Sequence, residues 1–532
     1  MSAEIRLGYA GYVTPNAWMP VTAVLRADRD LRGILEVAAP HPRSSSAARV
    51  QVEVHLSAAT LRTVTVPVVV YDLRAPLTIR LLEGGRAVGE WRVAISPSRI
   101  VDRLILALSD RPVGMDRLLA PENRMGVAYV GPDALPARWQ LYEGVRALVI
   151  RDLEERRVTP TQREALSGWI AAGGHLVLTE SSAGALRSAA ILRPLLQGAA
   201  RVPAIATAPE RHHLWGRGVV TVVPVDPFVP NLSPEGTAVW QRVLARGEAA
   251  ALMERSLLDA LPQSGGTSAP VQLLIVLLLG GYLVALRPIT RWLGRGVSGA
   301  VLAVMLLAGV AGAAALLAGV ARTQVMTLVQ GAVAETLTPG DVARLDALGR
   351  IVLPRGGTFA LRADGETLVR PLAESDTTLR LSGVVALEGR AAATVPVAAS
   401  ALIALPVRGS AREDGAGVTV TIRNRTGATL GGAVVLHRRR IQSIGLVGAE
   451  VSAVLADAEW RPLPFLDAAR GPRARLLAWT LGRLADGAIV DPTTGAATFL
   501  VAWLDDAAGL RWNEQRPSLL VVVPLAGMAE SP

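Results

Sequence analysis

Between Glu4 and Ile95 apolar and polar residues alternate in short runs, the period of strands that bury one face. The runs are Thr22–Leu25, Gly33–Val37, Val50–Leu56, Arg62–Val70, Leu77–Leu82 and Trp91–Ile95. Turn signals such as Asp28-Arg29-Asp30, Pro40-His41-Pro42 and Gly84-Gly85 separate them. About seven strands at this spacing predict an immunoglobulin-like β-sandwich over residues 1–96. Its opening segment carries Tyr9, Tyr12 and Trp18 around Pro15 and Pro20. These rings either plug one end of the sandwich core or offer an aromatic platform to a sugar or peptide.

From Arg99 to Phe228 the pattern changes. Ile105–Leu108, Val127–Val130, Ala147–Ile150, Leu176–Leu178 and Val219–Val223 are compact apolar runs, as in parallel strands covered on both faces. A helix is expected before Leu176. Thr159 can cap it, Pro160 suits its first turn, and Gln162 completes a capping box. Leu166, Trp169 and Ile170 give its apolar stripe, and Gly173-Gly174 ends it. Residues 97–230 are therefore predicted to be an α/β layer, followed by a helical tether and linker over 231–269.

Two longer runs carry no charge, Pro270–Leu286 and Val297–Ala321. At about 1.5 Å per residue each approaches the thickness of a bilayer core, so both are predicted to be transmembrane helices. The loop between them, 287–296, holds Arg287, Arg291 and Arg295, which fix its side as cytoplasmic by the positive-inside rule. The large flanking regions then lie outside the cell membrane, and a signal segment upstream of Met1 is expected. Residues 322–532 turn β-rich, with Phe359–Leu361, Leu379–Leu381, Val418–Ile422 and Gly432–Leu436 among the strands. Arg473–Leu484 is an expected helix, and Leu519–Leu525 a fully apolar strand. One or two further sandwiches are predicted here.

Composition narrows the chemistry. The 532 residues include no cysteine, which excludes disulfides, thiolate metal sites and a cysteine nucleophile. Arginine supplies all the positive charge behind a net +10, yet no arginine cluster is interleaved with aromatics, so no nucleic-acid partner is expected. A mean hydropathy of +0.36 agrees with segments in lipid. No phosphate loop is present, and no cofactor is expected.

The stretch from Ala147 to Asp152 and the one from Thr159 to Glu180 resemble the half-sheet of class I glutamine amidotransferase-like domains. The whole order of segments, with the front motif YxGYxxPxxWxPV and Gly216–Val220, is similar to a group of uncharacterised bacterial membrane proteins. The resemblance implies a multidomain chain: an N-terminal β-sandwich, a flavodoxin- or amidotransferase-like α/β layer, two transmembrane helices and a C-terminal β-rich sandwich region. It implies no activity, because the family's nucleophile is a cysteine. Ser181 or Ser182 with His212 or His213 could be imagined as a serine version, but the glycine of a nucleophile elbow is absent on the near side.

Acidic residues follow each compact run: Asp110, Asp133, Asp152, Glu180 and Asp226. At the carboxyl edge of a parallel sheet they could converge on a metal or polar ligand, or cap the turns that follow. The leading expectation is a non-catalytic membrane protein that binds the lipid bilayer and other membrane or envelope proteins. A ligand- or ion-sensing subunit using the acidic rim, and a serine hydrolase, are the alternatives.

Overall fold

The computed structural model describes residues 1–42, 44–109, 114–119, 124–150, 157–179, 200–201, 210–215, 217–229, 232–245, 331–337, 341–352, 357–363, 367–372, 375–382, 384–391, 394–414, 417–464, 469, 471–486, 498–505 and 518–527. The first seven strands are β1 (Ser2–Leu7), β2 (Trp18–Arg26), β3 (Leu31–Pro40), β4 (Ala47–Leu56), β5 (Leu61–Val69), β6 (Leu77–Glu83) and β7 (Arg86–Val93). They form a β-sandwich of two sheets. One is the three-stranded β1-β2-β5; the other contains β4-β3-β6-β7. Alternation explains the packing: Leu35, Val37, Ile79 and Leu81 point inward and are fully buried.

The next strands are β8 (Arg103–Leu108), β9 (Met125–Val130), β10 (Val145–Ile150), β11 (His175–Thr179), β12 (Ala200–Arg201), β13 (Arg211–Trp215) and β14 (Gly218–Val223). They lie side by side in the order β12-β13-β14-β11-β10-β8-β9. The five from β9 to β14 run parallel, while β13 and β12 are antiparallel additions. Helix α1 (Pro160–Ala171) joins β10 to β11, and its Thr159–Gln162 capping box is formed. Helix α2 (Pro234–Ala245) covers the other face, where Trp240 is fully buried.

The remaining strands are β15 (Gly331–Leu337), β16 (Val342–Val352), β17 (Gly357–Ala363), β18 (Leu368–Pro371), β19 (Thr377–Ser382), β20 (Val384–Ala391), β21 (Thr394–Ala404), β22 (Val407–Asp414), β23 (Gly417–Asn424), β24 (Leu430–His437), β25 (Arg440–Val447), β26 (Glu450–Ala456), β27 (Arg461–Pro462), β28 (Thr498–Leu504) and β29 (Leu519–Gly527). Twelve of them form one sheet along β18-β21-β16-β15-β29-β28-β24-β25-β27, with β22, β23 and β26 branching from β29. Helix α3 (Pro472–Ala485) packs Leu476, Leu481 and Leu484 on this sheet against Val333 and Val522. The all-apolar β29 sits between β15 and β28, buried on both faces.

The other three strands cross the expected domain boundaries. Strands β17, β20 and β19 extend the N-terminal sheet, giving the order β17-β20-β19-β4-β3-β6-β7. The join is parallel, with Thr377 opposite Ala48 and Leu379 opposite Val50. Asp376 sets this register by accepting from the Ala47 amide at 3.0 Å and from Arg49 Nη1 at 3.1 Å. One hydrophobic core runs from Leu35 and Val66 through Leu361 and Leu387 to Val420.

Three expectations need correction. The two-helix membrane architecture is not supported. Among the described residues no helix is long and apolar enough to cross a membrane, and the α-helices have 12, 12 and 14 residues against about 20 for a span. The runs 270–286 and 297–321 and the loop with Arg287, Arg291 and Arg295 lie outside the described residues. The localisation of the flanking regions rested on those runs and falls with them. The flavodoxin- or amidotransferase-like assignment falls too. The described part of the β9–β10 connection is built from 3-10 turns at Pro132–Ala134 and Trp139–Tyr142 rather than a packed helix. Strand pairing dominates the described chain, in which 29 strands accompany three α-helices.

Candidate functional site

The front motif is a plug between layers. Gly8 (φ +54°) turns the chain at the end of β1, and a Cβ there would meet the Tyr12 carbonyl at 1.8 Å. This tight turn drives Tyr9 into the core of the parallel layer. Its hydroxyl donates to the Leu141 carbonyl at 3.1 Å, and its ring stacks on Tyr142, which stacks on Trp169 of α1. Burial, together with the neighbouring Tyr142, raises the Tyr9 phenol well above its ordinary value. Tyr12 lies under the Arg99 guanidinium at 4.6 Å.

Two concave spaces flank this plug. The first is an open groove of about 940 Å³ between the outer face of β1-β2-β5 and the carboxyl end of β9. Thr22, Thr63 and Thr65 line one wall, Gly131 and Asp133 the other, with Arg99 also in the lining. Thr22 stands directly opposite Thr65, so the threonines share one face. Gln162 braces the far wall: its side-chain amide donates to the Leu135 carbonyl at 2.6 Å.

The second is a crevice of about 240 Å³ where sandwich, parallel layer and twelve-stranded sheet meet. Trp18, Trp139 and Trp169 line it with two ion pairs. Arg344 Nε lies 3.0 Å from Asp346 Oδ2, and Arg370 Nη1 lies 3.2 Å from Glu143 Oε2. Glu143 Oε2 also accepts from the Trp18 amide at 2.9 Å. Behind the crevice Arg217 Nε meets Glu335 Oε2 at 3.1 Å, both side chains being almost fully buried. Burial pushes the Glu335 carboxyl up, against the opposing pull of Arg217 and Arg344. Arg344 Nη1 donates to the Ala172 carbonyl at 2.8 Å, and the Arg217 amide donates to Ala171 O at 2.9 Å. Arg344 thus places positive charge at the C-terminus of α1, where the helix dipole favours it.

Of the acidic rim only Asp133 and Asp226 fall among the described residues. Asp133 pairs with Arg157 Nη2 at 2.6 Å, and Asp226 accepts from the Phe228 amide at 2.9 Å as a turn cap. Asp110, Asp152 and Glu180 lie outside the described residues, as do Ser181 and Ser182. No group of three or more His, Cys, Asp or Glu that could hold a metal occurs among the described residues. His212 Nδ1 is 3.0 Å from Thr221 Oγ1, and His175 Nε2 is 2.8 Å from the same hydroxyl, which is fully buried. The Asn424 glycosylation motif is closed: Nδ2 donates to the Ala428 and Val447 carbonyls, and Oδ1 accepts from Thr426.

The crevice residues Gln140, Glu143, Arg344, Asp346 and Arg370 were not anticipated from sequence. A signal existed: Arg344 and Asp346 are charges at i and i+2 with apolar neighbours from Val342 to Leu348, so they share one strand face.

Comparison with known proteins adds one finding. A family model described as Domain of unknown function (DUF8726) matches residues 1–96. No curated protein and no solved structure matches the chain. The amidotransferase likeness therefore has no support beyond the residues that suggested it.

Proposed function

We propose that the chain is a non-catalytic binding protein whose 940 Å³ groove receives an extended segment of a partner protein. The observation that carries this reading is the construction of the groove. A sheet face bearing Thr22, Thr63 and Thr65 among apolar neighbours opposes a turn-rich rim, and the buried Tyr9 plug holds the two walls at fixed spacing. Thr22, Thr63, Thr65 and Arg99 offer hydroxyl and guanidinium groups to peptide carbonyls without requiring one side-chain chemistry. Loops and rims held by a rigid scaffold are where binding residues collect.

The test is a crosslinked pull-down with the wild type beside a Thr63→Trp/Thr65→Arg variant that fills the groove. A discrete partner captured by the wild type and lost from the variant, at unchanged thermal midpoint, is the expected result. Equal capture by both proteins, or no discrete partner at all, contradicts the proposal.

A further inference from the structure

With the groove taken as the binding site, we infer that its occupant is an acidic β-strand, whose backbone pairs with the open edge of β1 and whose carboxylate meets Arg99. The edge is visible in the lining. Successive residues of a strand point to opposite faces, so a surface that touches Ile5, Arg6 and Leu7 in turn runs along the edge of β1 rather than over one face. From β2 and β5, by contrast, the groove touches alternate residues, Thr22 and Val24, then Thr63 and Thr65, as a face does. Among the described residues β1 pairs only with β2, which leaves the N–H and C=O groups of its other side turned toward the groove. The opposite edge of the same sheet, β5, carries Pro67, which has no N–H to offer, whereas β1 has no proline. Open backbone groups in a row are what an added strand uses.

The charge of the occupant follows from the three ionisable residues in the lining, Arg6, Arg99 and Asp133. Arg6 Nε is held by Glu4 Oε1 at 2.7 Å, and Asp133 by Arg157 at 2.6 Å. Arg99 is exposed, and among the described residues no carboxylate pairs with it. Its place is nonetheless fixed. It ends the 3-10 turn Pro97–Arg99, its carbonyl accepts from the Val13 amide at 2.9 Å, and its guanidinium lies over the Tyr12 ring at 4.6 Å. A ring attracts the cation but supplies no acceptor oxygen, so the guanidinium N–H groups are left for an anion, and a carboxylate matches them in two parallel bonds. One such guanidinium balances the single charge of a carboxylate, not the near-double charge of a phosphate. Backbone pairing reads no particular side chain, so this carboxylate is the one fixed demand on the segment's sequence. It belongs to an aspartate or glutamate side chain or to a chain terminus.

The experiment is a titration of the whole chain with fluorescein-labelled Val-Thr-Val-Asp-Val-Thr, blocked at both ends, read by anisotropy. Its comparators are the Asn and Lys peptides, the Asp peptide N-methylated at alternate residues in either phase, and Val-Thr-Val-Thr-Val with a free C-terminal carboxylate. Saturable binding of a carboxylate peptide is expected, about fivefold tighter than the Asn peptide. Arg99→Gln, at unchanged thermal midpoint, should erase that difference. N-methylation in one phase should abolish binding, because only one phase faces β1. Whichever carboxylate peptide gains, side chain or terminus, identifies the source. Equal binding of the Asp and Asn peptides, an Asp preference retained in Arg99→Gln, or indifference to N-methylation in both phases overturns the inference while leaving the groove as a binding site. Binding of no peptide overturns it too, and the groove then stands or falls by the pull-down alone.

Discussion

The parallel layer is fastened on two sides by opposite chemistry. Toward the sandwich the contact is aromatic: Tyr9, Tyr142 and Trp169 stack in series, with one hydroxyl bonded to a backbone carbonyl. Toward the twelve-stranded sheet it is ionic: Arg217 pairs with Glu335, and Arg344, beside Asp346 on its own strand, donates to the Ala172 carbonyl at the end of α1. An aromatic seam gains from area removed from water and tolerates no truncation. An ionic seam gains little net energy from burial but fails badly when one partner is removed. The two therefore divide the work. The first supplies stability, and the second fixes which way the sheets dock.

The largest expected effect is at the aromatic seam. Tyr9→Ala leaves a cavity beside Tyr142 and should cost about 3–5 kcal/mol, measured by urea unfolding. A loss below about 1 kcal/mol would show that the plug is incidental. At the ionic seam Glu335→Gln strands the buried Arg217 charge, with an expected cost again of about 3 kcal/mol or somewhat more. Arg217→Met/Glu335→Leu should recover most of that loss. If the double variant is no more stable than the single one, the stranded charge is not what destabilises the seam, and the division of roles between the two seams is wrong.

A smaller effect lies at the far end of the twelve-stranded sheet. Burial, with Arg438 nearby, lowers the imidazole of His437 below 6.5, against the pull of Glu413 and Asp457. The unfolded chain then takes up the proton first. The contribution of His437 is complete above pH 6.5 and is lost as pH falls through the window between 6.5 and the lower folded value. His437→Gln, which keeps a partner for Thr498 Oγ1 (2.8 Å from Nδ1), should flatten the midpoint-against-pH curve there, whereas the interface variants should not. An unchanged slope would mean that another group titrates in that window.

Local elements were legible in the sequence, and long-range pairing was opaque. Alternation in β3 and β6, the capping box at Thr159 and the compact runs of β8 and β10 each announce themselves within a few residues. Nothing local says which sheet a short strand such as Leu379–Leu381 will join, and β19 finds β4 across more than 300 residues. The candidate sites fared similarly. Asp133 and Asp226 were visible as acids, but only the fold shows that one is ion-paired and the other caps a turn. Arg370 meets Glu143 from 227 residues away, a contact no spacing rule reveals. The family match over 1–96 covers four of the seven strands in that sheet, so the matched region shares its sheet with residues from 357 to 391.

The N-terminal sandwich and the C-terminal strands meet in that shared sheet, and one crosslink tests it. The chain has no cysteine of its own, so Arg49→Cys with Thr378→Cys introduces a single pair at positions directly opposite across β4 and β19. Neighbouring strands stand about 4.8 Å apart, within reach of a disulfide. Rapid, intramolecular disulfide formation is expected under native conditions, suppressed when the chain is first unfolded in urea. Free thiols persisting in the native protein under mild oxidant, or crosslinks formed only between chains, would contradict the shared sheet.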